Sequence, residues 1–167
     1  MDTRNIEVAV YTQEQVLSGI ITLPNNTRLS DFINGHSCHR SDFLMLSDVK
    51  LKPESTDSQT VYINKHSVKM ITVKEGESTR GIGSSEGLKQ YPYVEKKPTK
   101  ATLHLQGYDL SGYLYCNGHR TLVELFDDTK TFLPCTDSMI IDMNSDSRWR
   151  SDFVAINKNL VQSLLEG

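Results

Sequence analysis

Residues 61–68 read "VYINKHSV" and residues 154–161 read "VAINKNLV", with five of eight positions identical and 93 residues between them. The same spacing places "VAVYTQEQVLSG" (8–19) over "ATLHLQGYDLSG" (101–112) and "RLSDFIN" (28–34) over "TLVELFD" (121–127). "FLMLSDVKL" (43–51) matches "FLPCTDSMI" (132–140) at a spacing of 89. Four segments recur in one order, and the length differences fall between them. That pattern predicts one fold written twice, over 1–73 and 101–167.

Within each copy the apolar residues alternate. Ile6, Val8 and Val10 have period two, as do Leu103 and Leu105, which predicts strands. Leu17, Gly19, Ile21 and Leu23 share one face of a second strand, as do Leu110, Gly112, Leu114 and Cys116. A glycine inside a strand marks a bend or a close backbone approach. Leu29, Phe32 and Ile33, and likewise Leu122, Leu125 and Phe126, are spaced three and four apart, which predicts one short helix with Thr27 as its N-cap. Three more strands follow. The order is β-β-α-β-β-β, twice. Residues 74–100, rich in Gly, Ser, Glu and Lys, are expected to form a flexible linker. Each copy is small enough that its core is marginal alone, so the copies are expected to pack together or the chain to oligomerise.

Bulk properties bound the function. Net charge is −3, so no protein-wide basic footprint for nucleic acid exists. Residues 101–167 carry five basic and nine acidic groups. No apolar run reaches the length of a membrane span, and the N-terminus does not read as a signal peptide. Cys38, Cys116 and Cys135 form a sparse, odd set that fits a reducing cytoplasm. No phosphate-binding loop, nucleophile elbow or paired-carboxylate arrangement is present.

Paired strands with a mid-strand Gly19, the Asp31-x-x-Asn34 spacing, "FLMLSDVKL" and the closing "VYINKHSVKMI" together resemble the Sm and Sm-like family of small bent β-barrels. The layout also looks like small bacterial domains of unknown function. The Sm resemblance implies a mainly β chain of two tandem five-stranded Sm-like or SH3-like barrels, each with a short helix between its second and third strands. It further implies that Asp31, Asn34 and Lys65 face a nucleotide, with Glu124, Asp127 and Lys158 at the matching places. His66 and Asn159 stand where the family has glycine.

Other residues attract chemical readings. His36, Cys38 and His39 have metal-ligand side chains, but three in four residues are cramped for one tetrahedral ion, and a solvent loop is the simpler reading. Arg148-Trp149-Arg150, expected in the loop between the third and fourth strands of the second copy, has the composition of a binding hot spot or a base-stacking site; Trp149 covering a core edge is the alternative. Cys116 and Cys135 read as buried structural thiols, with a Cys/His nucleophile pair involving His119 as the other option. The recurring Asn-Lys pairs read as turn geometry for the Asn and an open question for the Lys.

The sequence therefore predicts a cytoplasmic, non-enzymatic tandem-barrel adaptor or oligomeric scaffold that needs no cofactor or metal. Its expected partner is itself or another protein. The alternatives are an Sm-like protein binding short RNA and a small-ligand sensor.

Overall fold

The computed structural model describes residues 2–35, 42–54, 56–77, 96–117, 121–127 and 130–167. Two compact units divide the chain, 1–83 and 84–167. Unit one contains β1 (Thr3–Thr12), β2 (Val16–Pro24), α1 (Leu29–Ile33), β3 (Phe43–Val49), β4 (Gln59–Asn64) and β5 (Val68–Val73). Unit two contains β6 (Lys96–Leu105), β7 (Tyr108–Asn117), α2 (Leu122–Phe126), β8 (Phe132–Asp142), β9 (Arg148–Asn157) and β10 (Val161–Glu166).

The alternating pattern becomes one buried face per strand. On β1, Ile6, Val8 and Val10 are buried, and they meet Ile21, Gly19 and Leu17 of β2 in register. Leu29 and Ile33, four apart on α1, are buried, so this one-turn helix caps the core of unit one. In unit two Ala101, Leu103 and Leu105 stand opposite Gly112, Leu110 and Tyr108. The helix caps differ from expectation. Arg28, not Thr27, is the N-cap of α1, and it supplies no side-chain bond. At α2, Thr121 accepts from the Glu124 backbone N–H at 3.4 Å.

The sheet overturns the expected barrels. Each unit is a five-stranded antiparallel sheet that does not close on itself among the described residues. Unit one runs β5-β1-β2-β3-β4 and unit two runs β10-β6-β7-β8-β9. A barrel requires its first and last strands to pair so that no edge remains. Among the described residues the end strands of neither unit pair with each other, β5 with β4 or β10 with β9. Two separate Sm-like or SH3-like tandem barrels therefore do not describe this chain, although the mainly β content and the helices between second and third strands do. The tandem-barrel adaptor or scaffold loses its basis with them. So do the Sm-like RNA-binding alternative and a ligand sensor set between two barrels.

Each unit bends at a matched point. Asp48 and Asp137, within "Ser-Asp" and "Thr-Asp", both adopt positive φ, at 55° and 49°. The β3–β4 register shifts between Leu46 and Val49, and the β7–β8 register between Ser111 and Tyr113. Such irregularities kink a strand and tighten its twist. Aspartate tolerates the left-handed region better than most side chains. The bend brings the third strand of each unit down onto the mid-strand glycine of the second. A methyl group at Gly19 would lie 2.6 Å from the Ser47 carbonyl oxygen, and one at Gly112 would lie 2.6 Å from Cys135 Sγ.

β6 begins at Lys96, inside the stretch expected as linker. Its Pro98, opposite Tyr115, has no backbone N–H to donate. β10 pairs with β6 only as far as Ala101, so the Lys96–Thr99 part of the strand needs a ladder on one side alone.

Candidate functional site

The β3–β4 hairpin presents the clearest unexplained surface. Met45 and Tyr62 are direct cross-strand partners, and Phe43 lies two residues from Met45 on the same face. All three are exposed, at 46%, 65% and 51% respectively. The opposite face of the hairpin carries Leu44, Leu46 and Ile63, which are buried. β4, "QTVYIN", thus turns Ile63 inward and Tyr62 outward beside Met45, and among the described residues no strand pairs with its outer edge. It contains none of the proline, lysine or inward charge that commonly protects such an edge.

The corresponding surface of unit two is covered. The sequence matches set Phe43 against Phe132 and "VYIN" against "VAIN". Phe132 is 1% exposed, Ala155 0% and Asn157 1%. β9 is buried from Phe153 to Asn157, whereas matched β4 is exposed at four of its six residues. The fifth strands show the reverse contrast. β5 is buried from Val68 to Ile71 and at Thr72, whereas matched β10 has no buried residue.

The residues singled out from sequence fall in several places. Asp31 lies in the first turn of α1, and Asn34 is its C-cap, donating from Nδ2 to the Ser30 carbonyl at 2.9 Å. Lys65 opens a 3-10 turn after β4, with its backbone N–H donating to the Asp42 carbonyl at 2.8 Å. Burial holds its ammonium below the ordinary lysine range, and the nearby Asp42 carboxylate offsets part of that shift. Lys158 repeats the arrangement, donating from its backbone to the Thr131 carbonyl at 2.9 Å. The Asn in each pair works as turn chemistry. Asn64 Oδ1 accepts from the His66 N–H and Asn157 Oδ1 from the Asn159 N–H, both at 3.0 Å.

Arg148, Trp149 and Arg150 lie on β9, not in a loop. They pair with Ile141, Ile140 and Met139 of β8. Trp149 therefore shares a face with buried Ile140 and Leu110, and the two arginines project from the other face. Its ring meets Tyr108 edge-on, with centroids 6.4 Å apart and planes at 87°. Lys158 follows the far end of the same strand, about 30 Å from Arg148 at about 3.3 Å per residue. These cations do not form one site. The Tyr108–Trp149 pair is expected to show a coupling of about 1 kcal/mol in a double-mutant cycle with alanine, read by urea unfolding; additive losses would leave Trp149 without that contact.

Cys135 is fully buried and accepts from Ser138 Oγ at 3.2 Å. Burial pushes its thiol up to about 11, which keeps it protonated and a poor nucleophile. Cys116 is also buried. His119 and the His36-Cys38-His39 cluster lie outside the described residues. Among the described residues no group of three or more His, Cys, Asp and Glu is placed to hold a metal ion.

Two features had no sequence signal strong enough to single them out. His104 and Asp109 face one another across the β6–β7 hairpin, with Nδ1 and Oδ1 2.5 Å apart. The carboxylate orients the imidazole, and the two-residue turn at Gln106-Gly107 that sets this register was the available clue. In unit one, an open cleft of about 770 Å³ is lined by Glu7, Ser18, Asp48, Lys50, Thr56 and Lys74, among others. Glu7 and Lys74, both in its lining, form an ion pair at 3.0 Å. The lining mixes both signs of charge with hydroxyls and contains no nucleophile–base pair.

Among the described residues no helix is long and apolar enough to cross a membrane. Comparison with known protein families, with curated proteins and with solved structures finds no match. Together with the unclosed sheet, that removes the support for the Sm resemblance.

Proposed function

We propose that this chain is a protein-binding module that works by strand addition at the outer edge of β4, with binding rather than catalysis as its role. The observation that carries the reading is the contrast between matched surfaces: Phe132 and Ala155 are buried, while Phe43 and Tyr62 are about half or more exposed. An added strand would satisfy the backbone groups on the free edge of β4, and its side chains would cover the apolar row. The partner is a protein segment able to lie extended, from this chain's own kind or from another. The sparse, unpaired cysteines Cys116 and Cys135 suit a cytoplasmic setting.

A photo-crosslinking amino acid placed at Thr60 of the full chain should give protein adducts of discrete mass in expressing cells. Adding Tyr62→Lys should abolish them, because a charge in the apolar row opposes burial. Adducts no different from those at exposed Asp152 would mean that nothing docks on β4.

A further inference from the structure

The floor of the cleft in unit one follows from the strand register. Ala9 of β1 pairs with Thr72 of β5 on one side and with Ser18 of β2 on the other. Residues opposite one another in an antiparallel pair project to the same face, so two hydroxyls flank one small methyl group. Two residues along β1, Glu7 pairs with Ile20, and the Lys74 backbone N–H donates to the Glu7 carbonyl at 2.9 Å. All six of these residues line the cleft. Thr72 is only 6% exposed, yet among the described residues its hydroxyl makes no hydrogen bond. A buried hydroxyl is ordinarily paired; this one faces the cleft. Asp48, at the bend of β3, and Lys50, just beyond that strand, also line it. Among the described residues neither belongs to an ion pair.

The matched floor of unit two is filled. There Thr102 stands in the place of Ala9, Ser111 in that of Ser18, Tyr113 in that of Ile20 and Leu165 in that of Thr72. The Thr102 and Ser111 hydroxyls bond each other at 3.0 Å. Met139 takes the place of Lys50. Unit one thus has a smaller residue at the centre of the floor, a hydroxyl left over on each side of it, and a cation that unit two lacks. We infer that this cleft binds a small zwitterion of amino-acid chemistry, a free amino acid or a dipeptide. The four charges of the lining, Glu7, Asp48, Lys50 and Lys74, sum to zero, which disfavours a ligand of net charge. Glu7 and Lys74 already neutralise each other. Lys50 is therefore left for the ligand carboxylate and Asp48 for its ammonium, as charge-assisted hydrogen bonds. The Thr72 and Ser18 hydroxyls take the polar atoms between them, and an aliphatic side chain lies over Ala9 beside Ile20. A volume of about 770 Å³ suits a small-molecule site. The site lies wholly within unit one and does not depend on what docks at β4.

Titrating the isotope-labelled full chain with the common free amino acids and with alanylalanine, read by backbone amide NMR, tests the inference. At least one of these should bind with about millimolar affinity or tighter, with the shifts centred on Ala9, Ser18 and Thr72. Its N-acetylated and C-amidated forms should each bind about tenfold more weakly, since each lacks one charge. Ala9→Thr, which copies unit two, should fill the floor and weaken binding by about tenfold or more. Lys50→Met, a second copy of unit two at an exposed position, should weaken it comparably while leaving the urea midpoint unchanged. Should Ala9→Thr fail to fold, Lys50→Met decides alone. Blocked forms that bind as well as the parent overturn the zwitterion assignment. Shifts centred elsewhere, an undiminished affinity in Lys50→Met, or no saturable shift with any of the compounds overturn the site. None of these results bears on the Thr60 crosslinking, which tests β4 separately.

Discussion

Gly19→Ala is expected to destabilise unit one by about 3 kcal/mol, and Gly112→Ala to destabilise unit two by about 2 kcal/mol, as overpacking of a dense interior does. The sign is informative. At a site with room, replacing glycine by alanine stabilises a protein by about 0.4–1 kcal/mol, because the unfolded chain loses freedom. Neither site has room. At Gly19 the added methyl meets the Ser47 carbonyl oxygen at 2.6 Å, Leu46 Cγ at 2.7 Å and Val49 Cγ2 at 2.9 Å. The nearest of these is backbone in the strand that bends over Gly19, so relief requires β3 to lift from β2. At Gly112 the nearest atoms are side-chain atoms, Cys135 Sγ at 2.6 Å and Ser138 Oγ at 2.7 Å, with the Thr136 carbonyl at 2.9 Å. Those side chains are buried and bonded to each other, but they can give more than a carbonyl can. Cys135→Ala should therefore recover part of the Gly112→Ala loss. Chemical denaturation of the four variants reads both effects, and a Gly19→Ala protein as stable as the wild type would contradict the close strand crossing.

That crossing was legible in the sequence. A glycine weakens a strand, and one that recurs mid-strand at both 19 and 112 points to a close backbone approach. The strands were legible for the same local reason: one residue in two must face the core. The helices, the turns at Asn64 and Asn157 and the buried character of Cys116 and Cys135 likewise follow from short-range spacing. Closure was not legible. A strand in an open sheet and a strand in a barrel both bury alternate residues, and the edge is decided by which distant strand arrives beside it. The resemblance to small barrels therefore drew on a real pattern and reached the wrong topology. Local composition misled at two further places. "SDSRWRSD" is polar enough to read as a loop, yet its Arg148–Arg150 part is held in β9 by the ladder to Met139, Ile140 and Ile141. "KKPTKA" looks like linker, yet Lys96–Ala101 pairs residue by residue with β7.

The candidate site was the least legible feature, since exposure is set by partners rather than by residue type. Phe43 and Phe132 open matching segments, and nothing in "FLML" against "FLPC" says which ring is buried. Their substitution should separate the two environments sharply. Phe132→Ala is expected to cost about 3–5 kcal/mol, the usual loss for a large ring removed from a sealed interior. It is among the largest fully buried side chains of the chain, so the cavity left behind would be substantial. Phe43→Ala removes the same atoms from a half-exposed position, and its effect on unfolding should stay below about 1 kcal/mol, as for most surface changes. If β4 is a docking edge, Phe43→Ala should instead weaken association, because the ring belongs to the apolar row beside the added strand. Urea unfolding at low protein concentration isolates the first comparison, and the concentration dependence of mass measures the second. Equal stability losses at the two positions would mean that Phe43 is sealed in solution as Phe132 is, and that the bare face of β3 and β4 is not a surface on which another strand can land.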